Sequence, residues 1–301
     1  MKILLFGRDG QIGWELQRAL APLGELRALG RADADFAHPA TLRAPVAAFG
    51  PDIIVNAAAY TAVDKAESEA ATCHNVNVLS PGVLAEEAAA SGAWLVHYST
   101  DYVFDGAKEG AYAEGDATNP LSVYGRTKCE GEQRIRASGA RHLILRTGWV
   151  FAARGGNFPT TILRLAKERD SLSVIADQYG APTSAELIAD ATALALHRLR
   201  GAGPAASAMS GTYHLAAAGA TTWHGYAQHV LAEALARGAR LQATPESVLP
   251  VTTQAWPTPA ARPRNSRLDT RLFETTFSLR MPHWRDHVDR LVAELAATGR
   301  L

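Results

Sequence analysis

The sequence predicts an α/β fold of Rossmann type: a doubly wound parallel sheet with helices on both faces, followed by a smaller C-terminal substrate-binding lobe. Three observations carry this reading. Short, continuous apolar runs alternate with Ala-rich stretches of helical spacing through the first half of the chain. The first of these runs ends in a glycine triplet, Gly7, Gly10 and Gly13, just before the first helical pattern. Beyond residue 150 the alternation gives way to an irregular, Pro-richer half. Residues 1–150 are therefore expected to form the Rossmann domain and 151–301 mostly the second lobe. Segments around 172–200 and 211–240 are expected to return to the first domain.

The elements follow in order. "KILLF" (2–6) reads as a buried parallel strand that stops at Gly7. Ile12, Leu16, Leu20 and Leu23 recur at helical spacing until Pro22 and Gly24 end the helix. "ELRAL" (25–29), "DIIVNAAA" (52–59), "AWLVHYST" (93–100) and "HLILRTG" (142–148) read as the next four strands. Helical stretches lie between them at 41–49, 64–71, 77–91 and 123–138. In the second half, 172–175 and 211–216 read as strands and 184–199, 222–237 and 283–297 as helices. The small-residue segment 201–211 reads as a loop. The Pro- and Thr-rich segment 244–268 reads as ordered loop, because it carries Trp256 and several other apolar residues.

Composition narrows the function. The 301 residues are 47% hydrophobic and 20% charged, the profile of a globular protein with a sizeable core. Thirty basic residues balance thirty acidic ones, which gives no support to nucleic-acid or membrane-surface binding. Cys73 and Cys129 stand far apart with no CxxC pairing, which argues against a disulfide framework or a zinc site and fits a reducing cytoplasm. The N-terminal apolar run is only four residues long, so no signal peptide is expected. No stretch approaches the roughly 20 apolar residues of a membrane span.

The glycine triplet sits between a strand and an amphipathic helix. In that context a tight turn lets backbone N–H groups and the helix N-terminus face a pyrophosphate, which Cβ atoms would obstruct. A dinucleotide is the expected ligand. Its type is decided near the end of the second strand, in "LGRADADF", where Arg31 could meet a 2′-phosphate and Asp35 and Phe36 could hold the ribose or adenine side. Both frames remain open, with NADPH favoured and NADH tolerated.

Ser99 and Thr100 end the fourth strand, where open α/β sheets bind ligands. Tyr124 and Lys128 lie four residues apart on one helix face. A free phenol, with a pKa near ~10, is a weak acid–base catalyst at neutral pH. A neighbouring ammonium or a cationic ring lowers that value. Tyr124 is thus the expected proton donor, Lys128 its tuner and ribose anchor, and Thr100 the group that orients a carbonyl.

These features resemble the extended short-chain dehydrogenase/reductase superfamily, through G-x-x-G-x-x-G, the "NAA" of Asn56, Ala57 and Ala58, and Y-x-x-x-K. Longer blocks, among them "STDYVFDG", "NPLSVYGRTKCEGE", "DQYGAPTSAELIAD" and "RPRNSRLDT", are similar to the dTDP-4-dehydrorhamnose reductase family over nearly the whole chain. The resemblance implies NADPH-dependent reduction of dTDP-4-dehydro-β-L-rhamnose to dTDP-β-L-rhamnose, the last step in supplying rhamnose to O-antigen and other surface polysaccharides. It implies cofactor contacts at Gly7, Gln11, Ile12, Asp35, Phe36, Ala57, Ala58, Ala59 and Tyr60. On the substrate side it implies Ser99, Thr100, Asp101, Val103, Tyr124, Trp149 and Arg262, with Thr61 and Val63 as weaker members. It further implies a homodimer, and in some members Mg2+ held at the dimer interface by acids that match Glu15, Glu186 and Asp190. Two alternatives stand beside the reductase. One is another nucleotide-sugar epimerase or dehydratase, although the acidic pair of a dehydratase is missing after Thr100, where Asp101 and Tyr102 stand. The other is a non-catalytic regulatory subunit like that of methionine adenosyltransferase.

Overall fold

Six strands form one all-parallel sheet in the computed structural model, which describes residues 1–301: β1 (Lys2–Phe6), β2 (Glu25–Leu29), β3 (Ile53–Asn56), β4 (Trp94–Thr100), β5 (Arg141–Thr147) and β6 (Gly211–His214). Their order across the sheet is β6-β5-β4-β3-β1-β2. The chain runs outward from β1 to β2, then returns to β3 on the other side of β1. That reversal leaves a crevice at the carboxyl ends of β1 and β3, where α/β sheets take their ligands.

The apolar runs are continuous because both faces are covered. Ile3 and Leu5 of β1, Ile53 and Val55 of β3, Val96 of β4 and Leu143 and Leu145 of β5 feed the larger core. Leu4, Phe6, Ile54, Leu95 and Ile144 point the other way into a second core. Each fully buried Leu or Ile is worth about 1.5–3 kcal/mol over the exposed state. No helix is long and apolar enough to cross a membrane.

The helices are α1 (Gln11–Leu20), α2 (Arg43–Phe49), α3 (Ser80–Ser91), α4 (Val123–Ala137), α5 (Phe158–Glu168), α6 (Ala185–Ala202), α7 (Trp223–Ala236), α8 (Arg271–Phe277) and α9 (Trp284–Ala297). Before α3, a turn at Val63–Ala66 and a short helix at Ala70–His74 lead into a wide π turn at Asn75–Leu79. Helix α4 starts where the Ser122 hydroxyl accepts the Gly125 N–H at 3.1 Å. It lies against the π turn at backbone contact distance: a Cβ on Gly131 would sit 2.2 Å from the Asn77 carbonyl oxygen.

Several expectations need correction. The strand expected at 52–59 ends at Asn56, so Ala57–Ala59 are free to line the crevice. Helix 64–71 is two short pieces. Segment 201–211 is not a loop: α6 runs to Ala202 and a 3-10 helix follows at Gly203–Met209. Of the segments expected to rejoin the sheet, α6 packs on α1 and β6 pairs with β5. Residues 172–175 pair instead with Val248–Val251, a strand inside the segment read as loop, and α7 packs on that pair. Helix α5 was not expected. Asn157 and Thr160 form its reciprocal cap, with each side chain accepting the other's backbone N–H at 3.2 Å.

Candidate active site

A cleft of about 480 Å³ opens at the carboxyl ends of β1, β3, β4 and β5. Its floor begins at the glycine turn. Gly7 has φ +86°, and a Cβ there would strike Ala57 and Ala58. Gly13 touches the Gly7 carbonyl so closely that a Cβ would lie 1.9 Å from it. Packing within the protein therefore demands both glycines. Gly10 differs: its nearest neighbour would be an ordinary 3.5 Å away, and it faces the cleft. No side chain caps α1, so the first-turn N–H groups point into the cleft beside Gln11 and Ile12. An uncapped helix start beside a glycine turn that leaves Gly10 open to the cleft fits a pyrophosphate.

The remaining expected cofactor residues are spread along this wall. Ala57, Ala58 and Ala59 line the cleft. The Tyr60 hydroxyl donates to Glu69 at 2.6 Å and turns away from the cleft, while its backbone is fixed by the Asn77 side chain at 2.9 and 3.1 Å. Phe36 is buried edge-on against Phe6 and cannot stack on a base in this state. Asp35 accepts the Ala37 N–H at 3.0 Å, and that bond holds its carboxyl below the usual range. Arg31 is exposed, 3.7 Å from Asp35. Arg8, which the sequence did not single out, is nearer β2: it donates to the Ala28 carbonyl and pairs with Asp33, both at 3.1 Å.

Thr100, Tyr124 and Lys128 meet in the cleft. Tyr124 is half-buried and packs edge-on against Tyr102, with ring centroids 5.6 Å apart. Burial pushes its phenol well above the ordinary value, a hydrogen bond with Thr100 opposes this, and the charge of Asp101 adds to the rise. The tyrosine therefore holds its proton, as a donor to a ketone must. The Thr100 hydroxyl donates to Asp101 Oδ1 at 2.9 Å and accepts the Tyr102 N–H at 3.2 Å. Lys128 is 1% exposed, and burial brings it down to about 8. It shares a helix face with Tyr124, yet its Nζ donates to the Tyr98 carbonyl at 2.6 Å and lies 3.1 Å from His97 Nε2. Its direct partners are on β4 rather than at the phenol.

On the substrate side, Asp101, Thr61, Val63 and Trp149 line the cleft. Asp101 is buried with Oδ2 unpartnered, and burial raises its carboxyl to about 6. Ser99 reaches the cleft, but its hydroxyl donates to Glu132. The structure does not bring Val103 to the wall; it packs with Phe104, Tyr112 and Cys129 below. Trp149 has φ +51°, uncommon for a non-glycine residue. It stacks on Trp223 with centroids 3.6 Å apart, and a Cβ on Gly180 would overlap its ring. Trp149 is thus a held wall of the cleft, and Trp223 is a second aromatic that the sequence reading missed. Arg262 makes a two-pronged pair with Asp64 at 2.7 and 3.1 Å and does not line the cleft in this state.

The acids expected to hold Mg2+ do not form one ligand set within this chain. Glu15 and Glu186 face a second cavity, but Glu15 pairs with Arg18, Glu186 with Arg290 and Asp190 with Arg18, at 3.5, 3.1 and 2.9 Å. The group of acids and histidines close enough to share an ion is elsewhere, at His229, Glu233 and Asp289. Each carboxylate of the expected trio has an exposed arginine partner within this chain.

The comparisons with known proteins agree with this geometry. A family model described as RmlD substrate binding domain matches residues 1–297. Curated relatives named dTDP-4-dehydrorhamnose reductase include one from Salmonella typhimurium, 51% identical with 99% of each chain covered, and one from Burkholderia thailandensis, 46% identical with 98% of this chain and 99% of the relative covered. Among solved structures, a Bacillus anthracis dTDP-4-dehydrorhamnose reductase in complex with NADP superposes with a TM-score of 0.86 at 31% identity, covering 97% of this chain and 99% of that one.

Proposed function

This chain belongs to the dTDP-4-dehydrorhamnose reductase family, and we infer from that membership and the geometry of the cleft that it reduces the C4 ketone of dTDP-4-dehydro-β-L-rhamnose to dTDP-β-L-rhamnose with NADPH. The reaction is the final step of dTDP-rhamnose synthesis, which feeds O-antigen and other surface polysaccharides. NADPH, when bound, supplies the hydride that reduces C4. The chain's own residues do the rest. The first-turn N–H groups of α1 at Gln11 and Ile12, with Gly10, would hold the pyrophosphate, and Ala57–Ala59 would line the dinucleotide's side of the cleft. Arg31 would meet the 2′-phosphate, and Lys128 would anchor the ribose. Tyr124 gives its phenolic proton to the ketone oxygen as C4 is reduced, so one hydride and one proton convert the ketone to the alcohol. Thr100 orients that oxygen, and Trp149 with Trp223 supplies a flat apolar wall for the sugar or base.

The observation that carries this reading is the meeting of Thr100, Tyr124 and Lys128 beside an uncapped glycine turn, in a cleft with a proton-holding phenol. We place the reaction in the cytoplasm, supported by two free, buried cysteines, and assign the protein as a homodimer on the strength of its family membership. Deuterium transfer tests the reaction: with NADPH deuterated at the transferred position, the label should appear at C4 of the rhamnose product. Unlabelled product, or label retained in the cofactor, would contradict it.

A further inference from the structure

Helix α4, which carries Tyr124, begins without an acid of its own. No carboxylate stands in its first turn, and Ser122 caps one of that turn's free donors, the Gly125 N–H at 3.1 Å. A second donor, the Val123 N–H, is taken from outside the helix: Glu67 Oε1 accepts it at 2.8 Å, from 56 residues away. Val123 and Gly125 are the two chain neighbours of Tyr124. Gly125 also lies tight on the turn after β4, where a Cβ would sit 2.3 Å from the Tyr102 carbonyl oxygen. The backbone of the proton donor is thus held immediately before and immediately after, and the hold before it is made by one side chain.

Glu67 ends the turn Val63–Ala66, with its own N–H bonded back to the Asp64 carbonyl at 3.4 Å. Asp64 on the same turn accepts two bonds from Arg262 and one from the Ala260 N–H. Thr61 and Val63 of the same segment line the cleft. One short segment therefore touches the cleft, the loop that carries Arg262 and the start of the helix that carries Tyr124.

We propose that Glu67 is a positioning residue for the reduction: it ties the first turn of α4 to the cleft wall and so sets where the Tyr124 phenol meets the ketone. The proposal rests on the reading of Tyr124 as proton donor. Tyr124 reaches the cleft from a first turn, whose N–H groups have no partner inside the helix and which depends on outside acceptors for its place. A misplacement of about 1 Å at a reacting group costs on the order of 10²-fold in rate. Glu67 itself does not line the cleft and takes no proton. Its negative charge suits a helix N-terminus, but the bond to Val123 needs only an acceptor oxygen, which an amide also supplies. A plain helix cap would affect stability and leave proton delivery alone, so kinetics separate the two roles.

The test compares full-length wild type, Glu67→Ala, Glu67→Gln and Tyr124→Phe in single-turnover oxidation of bound NADPH by dTDP-4-dehydro-L-rhamnose, in H2O and in D2O. Glu67 is exposed, so its variants keep the fold. Glu67→Ala should slow the step about tenfold, less than loss of the phenol, while the Kd for NADPH stays within about twofold of wild type. Its solvent isotope effect should exceed that of the wild type, because proton delivery has become the harder part of the step. Glu67→Gln should restore most of the rate. A Glu67→Ala rate within about twofold of wild type, an unchanged isotope effect, or a Glu67→Gln variant as slow as Glu67→Ala would overturn the proposal. A wild type that oxidises no NADPH would instead remove the reductase reading, and this inference with it, so the two failures are told apart by the wild type alone.

Discussion

Asp101 and its neighbours set what the cleft can do at a given pH. The carboxyl is buried, receives the Thr100 hydroxyl, and leaves Oδ2 without a partner. Burial raises it to about 6 from an ordinary 3.8. A raised acid binds its proton more tightly in the folded state, so the wild type loses stability as pH rises through that window. The Asp101→Asn variant lacks this group. Urea unfolding at pH 4.5 and pH 7.5 should show the wild type losing on the order of 2–3 kcal/mol relative to Asp101→Asn as pH rises, about 1.4 kcal/mol per unit. Equal pH slopes in the two proteins would show that Asp101 titrates normally. While ionised, Asp101 also holds the Thr100 proton, so orientation of a ketone by Thr100 competes with that bond.

At the scale of elements, α4 carries the chemistry and is pinned to the sheet from its buried side. Glu132 is fully buried and receives Arg146 at 2.9 and 2.7 Å from β5, together with Arg136 and Ser99. Burial opposes its charge, but the arginines outweigh it and the carboxyl ends below the ordinary range. Removing one partner of such a pair leaves the other charged and buried, at a cost of about 3–5 kcal/mol. Glu132→Ala should lower the denaturation free energy by that amount in chemical unfolding, whereas a change below about 1 kcal/mol would mean that water or Arg136 rescues Arg146. The same element shows where the sequence was informative. Tyr124 and Lys128 announced a shared face by their spacing of four. That Lys128 bonds His97 and Tyr98 instead of the phenol depends on how α4 lies across β4, which spacing does not encode. His97 was hidden because, inside an apolar run, it reads as one more buried strand position.

Across the whole molecule, long-range ion pairs join the two halves, and one of them ties down the loop that carries Arg262. Asp64, after β3, holds Arg262, 198 residues later, at 2.7 and 3.1 Å, and the Ala260 N–H reaches the same carboxylate at 3.2 Å. The Arg262 guanidinium holds Asp64 below the usual carboxylate range. Asp64→Ala should free this loop and raise the KM for the nucleotide sugar several-fold, with little change in the Kd for NADPH, measured by steady-state kinetics and fluorescence. A KM that stays put would separate the loop from substrate binding. The parallel sheet was legible because its strands are continuous apolar runs between amphipathic helices. The second lobe was not. Its strands at 150–151, 183–184 and 179–180 are two residues long, and Val248–Val251 contains a proline and pairs with a partner more than 70 residues away. Helix α5 carries a signal, Asn157 three residues before Thr160, that two preceding glycines and Pro159 mask. The most direct measurement is NADPH oxidation by the purified protein supplied with enzymatically generated dTDP-4-dehydro-L-rhamnose, with Tyr124→Phe alongside. The wild type should consume NADPH in proportion to the sugar, and the variant should lose about 10²–10⁴-fold in kcat while still binding NADPH. A folded, NADPH-binding wild type that consumes none, or a variant as fast as the wild type, would contradict the assignment of Tyr124 as proton donor in a rhamnose-forming reductase.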